Sequence, residues 1–271
     1  MILGGWFLNI EYLRSINLLC YIKSKFLRLI LPAISWYIIL CVASYETPRF
    51  GGFVTSYWYL KALFISLCVI CIFTKIIKND IICAIVSIIC FLAIPIPDLV
   101  HSKFMFPFVW GGYYLRRFYE GKDNKIKIYI FLCFVVGILL AFMWSPDKTV
   151  YRCPFDVLTI SINMVIIYIY RFIIGFALSS VIIWMAIKYE NRRFVFGLSK
   201  YGSFSLVIYT GSFVLNELLR RLFCLYNMNI NEYIFIDFLS LLSSSLIVVV
   251  LIAFSKCCRH NKYISIFLLG E

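Results

Sequence analysis

The sequence predicts an all-α protein, a polytopic transmembrane helical bundle of about eight full spans plus a partial N-terminal one. Three observations predict it. Of 271 residues, 63% are hydrophobic and only 14% charged, against about 45–50% and 25% in a soluble domain. The apolar residues gather in runs close to the 17–25 that cross a bilayer. The cations lie in the short segments between those runs, which is a topology signal. A net charge of +13 would also suit a nucleic-acid binder, but no single basic domain collects it. The expected partner is therefore the lipid bilayer, and nucleic acid is not expected.

The elements follow in order. Met1–Ile10 (MILGGWFLNI) has no basic start and no small-residue cleavage site, so a cleaved leader is not expected. Residues 2–13 make only about half a span. Full spans are predicted near 29–45, 57–74, 81–97, 104–115, 126–144, 162–187, 203–220 and 233–255. The fourth is short and carries Pro107 and Gly111-Gly112, which predicts a broken or tilted helix. The sixth is long enough to include an interfacial turn. Tyr57, Trp58, Tyr59 and Trp144 sit near span ends, as an interfacial aromatic belt would place them. With no hydrophilic domain and no internal repeat, residues 1–271 read as a single membrane domain.

Lysine and arginine set the orientation. One alternating set of loops carries eighteen cations, from Arg14, Lys23, Lys25 and Arg28 through Arg116 and Arg117 to Lys256, Arg259 and Lys262. The other carries six: Arg49, Lys103, Lys148, Arg152, Arg220 and Arg221. The richer set is read as cytosolic, with the C-terminus inside. Residues 2–13 would then have to cross from outside with half the needed length. Two readings account for that: a preceding helix absent from this chain, or an interfacial helix on the inner face.

Candidate chemistry is sparse. Lys25 and Arg28 stand three apart at the mouth of an apolar run, so a helix would show both on one face. A helix N-terminus with two cations suits a phosphate group. Lys61, Arg171, Glu217 and Asp237 are ionisable groups within predicted spans and all fall in the outer half. Together with Trp58 they are candidates to line an acceptor cavity for a hydroxylated substrate. Lys61 alone reads more simply as a snorkelling side chain, and Glu217 as a partner of Arg220 or Arg221 on its own helix. Asp98 and His101 could form an orienting pair. Cys68-x-x-Cys71 lies mid-span with no histidine near it, so the eleven cysteines read as small apolar side chains. Cys257-Cys258 at a membrane edge could be lipidated or remain an inert reduced pair. No metal-ligand cluster, nucleophile elbow or phosphate-cradling glycine loop is present in the sequence.

Several motifs in order resemble acyltransferase family 3, the integral membrane enzymes that acylate sugar hydroxyls. Lys23–Trp36 (KSKFLRLILPAISW) resembles the start of that family's third membrane helix. Tyr57–Leu63 resembles its "HLWFLYAL" step, Phe106–Arg117 its "FxxGYLLRR" helix end, and Leu198–Tyr209 its "lGkySlgIYllH" segment. Asn261–Gly270 resembles its usual ending. The resemblance implies that Lys25 and Arg28 hold the phosphates of acyl-CoA (acetyl-CoA in the simplest case) as co-substrate, without a metal. It implies O-acetylation of a surface or exopolysaccharide sugar by an acyltransferase in a bacterial inner (plasma) membrane. It also exposes departures. The family's histidine base lies in a first helix with no counterpart here, its R-x-x-R pair reads Lys25-x-x-Arg28, and its "H" before the LWFL step is Tyr57. The catalytic residue is therefore unknown, and the chain could be impaired. Alternatives are a polysaccharide or lipid-linked-sugar transporter or flippase, and a non-catalytic family remnant.

Overall fold

The computed structural model describes residues 1–94, 101–120, 126–145, 148, 161–189, 202–225 and 233–271. The side chains at 127, 203, 220, 222–225 and 233–241 lie outside that description. In chain order the helices are α1 (Ile2–Trp6), α2 (Ile10–Ser15), α3 (Leu18–Lys25), a π-turn at Phe26–Ile30, α4 (Leu31–Ser44), α5 (Phe50–Thr55), α6 (Trp58–Ile76), α7 (Asp80–Ala93), α8 (Ser102–Glu120), α9 (Ile126–Phe142) and α10 (Ile162–Lys188). A short 3₁₀ turn at Gly202–Phe204 leads into α11 (Ser205–Leu225), followed by α12 (Tyr233–Cys258), α13 (Lys262–Ile264) and a second π-turn at Ser265–Leu269. No strand occurs among the described residues, so the all-α class holds.

Three helices are long and apolar enough to cross a membrane: Leu18–Ser44, Trp58–Ile76 and Ile162–Lys188. Four further apolar stretches, Asp80–Ala93, Ile128–Phe142, Ser205–Leu219 and Leu242–Cys258, are shorter. Eight full-length spans are thus not reached among the described residues. The sixth predicted run is an uninterrupted helix of 27 residues. The predicted fourth span is not broken: it lies within α8, a continuous helix of 19 residues that carries Pro107 inside it, though α8 is not among the helices apolar enough to cross. Pro107 offers no N–H to the carbonyl four residues back. That carbonyl belongs to Lys103, and it accepts instead from the Tyr168 hydroxyl at 2.8 Å.

The chain forms two units by its internal contacts: Met1–Ile22 with Lys61–Arg192, and Lys23–Leu60 with Arg193–Glu271. In the first, α1, α7 and α10 pack on α8, and α9 packs on α10. Ile2, Phe104, Phe108, Leu115 and Ile183 form its core cluster. Helix α1 meets α8 backbone to backbone. A Cβ on Gly5 would stand 1.8 Å from the Val109 carbonyl oxygen, and one on Gly112 would stand 2.0 Å from that of Ile2. Trp110 donates its indole N–H to the Ser87 hydroxyl at 2.9 Å, joining α8 to α7.

In the second unit α4 packs against α11 and the second π-turn, and α12 packs on α11. Ala33, Trp36, Tyr57, Val207 and Leu251 belong to its core. Trp36 donates its indole N–H to the Leu268 carbonyl at 3.0 Å. Tyr57 is fully buried, and its ring stands edge-on to Phe213 at 5.0 Å. It is a core residue rather than the interfacial belt member that its place at a span end suggested.

Candidate functional site

The basic stretch at 23–28 does not open a helix. Asn17 accepts the Leu19 N–H at 2.9 Å, and helix then runs from Leu18 through Ser44. Lys25 and Arg28 therefore lie about two to three turns inside it, where the backbone N–H groups are already used. Any phosphate there meets side chains alone. The intervening residues form the π-turn Phe26–Ile30. A π-turn closes i→i+5 instead of i→i+4 and so rotates less per residue, which spreads Lys25 and Arg28 further apart around the axis than an α-helix would. Pro32 explains the turn: its ring would press on the Arg28 carbonyl in a regular helix. Arg28 is exposed and Lys25 half-buried. Behind them sits the second π-turn. Its closing residue, Gly270, has φ +69°, and a Cβ there would stand 2.5 Å from the Arg28 carbonyl oxygen. The motif at 261–270 thus braces the backbone of the motif at 23–36.

The candidates for an acceptor cavity divide between the units. Lys61 and Arg171 belong to the first, and Trp58, Glu217 and Asp237 to the second. Lys61 is only 6% exposed, so it is enclosed by protein rather than snorkelling outward. Arg171 is also buried. Its guanidinium donates to the Lys148 carbonyl and lies 5.9 Å from the Phe104 ring centre. Glu217 pairs with Arg221 at 3.0 Å, as the same-helix reading expects, and Arg221 also donates to the Ser44 carbonyl. The Asp237 side chain and Asp98, hence the Asp98–His101 pairing, fall outside the described residues.

A polar cavity of about 280 Å³ opens in the first unit, among α2, α7 and α8. Arg14, Arg116 and Arg117 line it with Asp80, Tyr113 and Glu120. Asp80 is its hub. Arg14 reaches one carboxylate oxygen at 2.8 Å, while Arg117 at 2.9 Å and the Tyr113 hydroxyl at 2.7 Å reach the other. Asp80 precedes the predicted span 81–97. Burial pushes its carboxyl pKa up, but the hydrogen bonds from Tyr113 and Arg14 and the charges of Arg14 and Arg117 outweigh that, leaving it below the ordinary value. Arg14 also donates to the carbonyls of Thr74, Ile77 and Lys78 at the end of α6. Lys75 returns the clamp by donating to the carbonyls of Arg14 and Ile16 at the end of α2. Each cation thus caps the other helix's free carbonyls. Arg116 pairs with Glu120 at 2.6 Å on the exposed side.

Sequence reasoning missed this cluster. Arg116-Arg117 is visible as an adjacent pair, and Asp80 as a lone acid before an apolar run. Nothing in their spacing shows that Arg14, 66 positions before Asp80, reaches it.

A family model described as an acyltransferase domain matches residues 1–255. No curated protein and no solved structure matches the chain.

Proposed function

This chain belongs to acyltransferase family 3, and we propose from that premise that it is a membrane O-acyltransferase moving an acyl group from cytosolic acyl-CoA to a hydroxyl of a surface or exopolysaccharide sugar. The observation that carries the reading is the family match over residues 1–255, in a chain whose described residues are helical and apolar. Acetyl is the simplest acyl group, and a bacterial plasma membrane with the C-terminus in the cytosol is the setting. The charge asymmetry between loops supports that orientation. It puts Lys25 and Arg28 on the side where acyl-CoA is found.

In the reaction, the sugar oxygen attacks the thioester carbonyl, the new C–O bond forms, and the C–S bond breaks. The hydroxyl proton passes through a base to the departing CoA sulfur. Lys25 and Arg28 hold the donor's phosphates as charge-assisted partners, each worth about 1.5–3 kcal/mol. Lysine does so as a point charge and arginine as a fork.

The test is acyl transfer from labelled acyl-CoA in inside-out vesicles, for the parent and for K25Q/R28Q. The double variant should raise KM for acyl-CoA roughly tenfold or more, since about 1.4 kcal/mol is tenfold, while kcat changes less. An unchanged KM rules out this donor site.

A further inference from the structure

The cavity around Asp80 has two kinds of arginine. Arg14 is committed: it donates to three carbonyls and to Asp80. Arg116 and Arg117 are not tied in that way. Arg117 is 58% exposed; it meets one Asp80 oxygen, which also accepts from Tyr113, and lies over the Tyr113 ring at 5.5 Å. Arg116 is bound to Glu120, four residues on and 58% exposed, and its other end makes one long hydrogen bond, to the Trp6 carbonyl at 3.3 Å. Exposed pairs at this spacing are weak. Both arginines can turn toward an incoming anion while Asp80 keeps Arg14 and Tyr113 and is never left unpaired.

We infer that this cavity is a phosphate site, in which Arg116 and Arg117 grip the anion and Arg14 with Asp80 holds the frame. The lining is balanced in charge, three arginines against Glu11, Asp80 and Glu120, so the anion enters by displacing Glu120 from Arg116. Two adjacent guanidinium groups offer the bidentate donors that phosphate oxygens accept. The volume of about 280 Å³ lies just below the roughly 300–1,000 Å³ of sites that enclose drug-sized ligands. It fits a phosphate or pyrophosphate group, not a whole coenzyme. Two sources supply such a group: a soluble nucleotide-type cofactor or an anionic lipid headgroup. The inference uses the acyltransferase reading only to choose coenzyme A as one probe.

The experiment is calorimetric titration of the purified full chain in neutral detergent with inorganic pyrophosphate. Coenzyme A and phosphatidylglycerol mixed micelles serve as competitors. R116Q/R117Q should weaken pyrophosphate binding at least tenfold, and Glu120→Gln should strengthen it severalfold by removing the competing carboxylate. The second variant keeps the test decisive if the first fails to fold. Competition by coenzyme A alone assigns the site to a soluble cofactor, and competition by the lipid alone to a headgroup; each supports the inference. Pyrophosphate affinity indifferent to both changes overturns it. Coenzyme A binding that survives R116Q/R117Q but is lost in K25Q/R28Q removes the soluble-cofactor source, supports the headgroup one where arginine-dependent pyrophosphate binding persists, and leaves the proposed function standing. Arginine-dependent pyrophosphate binding with no coenzyme A binding supports the site and counts against the acyl-CoA reading.

Discussion

Asp80 accepts from donors on two other helices, Arg14 of α2 and Tyr113 and Arg117 of α8. Asp80→Asn leaves two guanidinium groups facing a neutral amide and should cost about 1–3 kcal/mol, read as a lower melting temperature in detergent at neutral pH. The pH dependence has a definite sign. A carboxyl whose folded pKa is depressed adds stability above its unfolded value, about 3.9, and loses it as pH falls through the lower folded value. The parent should therefore lose stability on acidification below about pH 4, and D80N should show a shallower loss there. Tyr168 is a second informative residue. Tyr168→Phe removes a donor to the Lys103 carbonyl, a lost hydrogen bond worth about 0.5–1.5 kcal/mol. The same thermal melts should resolve it.

Among the elements, the segment 262–270 braces the basic stretch through one left-handed glycine. Gly270→Ala meets both the positive φ and the Arg28 carbonyl. About 1–3 kcal/mol of strain should loosen the brace, seen as faster amide exchange across Phe26–Ile30. Gly5→Ala should likewise lift α1 from α8, because the Val109 carbonyl occupies the place of the new methyl. Several elements were legible in the sequence. The long apolar runs became the helices Leu18–Ser44, Trp58–Ile76 and Ile162–Lys188, because length and hydropathy are local properties. The failures have tertiary causes. Pro107 predicted a break, and Tyr168, some sixty positions away, supplies the missing partner. Lys25 and Arg28 looked like a helix N-terminus, yet Asn17 starts the helix earlier and Pro32 widens it into a π-turn. Tyr57 looked interfacial because a span end is where a belt residue sits, and only its packing against Phe213 shows it to be core.

For the whole molecule, the class and the family were both readable. Composition alone forces an apolar helical chain, and five weak motifs in order resemble the family that residues 1–255 match. The number of spans was not, since four apolar stretches stop short of crossing length among the described residues. The arginine cavity was not either, because the pairing of Arg14 with Asp80 depends on how α2 lies against α6 and α7. The proposed function requires this chain to take acyl-CoA through cations on its inner side. Equilibrium binding of radiolabelled acetyl-CoA to the purified full chain tests that claim most directly, since binding needs no catalytic base. Binding should be saturable, competed by free coenzyme A and weakened at least tenfold in K25Q/R28Q. Binding that does not saturate, or that is indifferent to free coenzyme A, would contradict it.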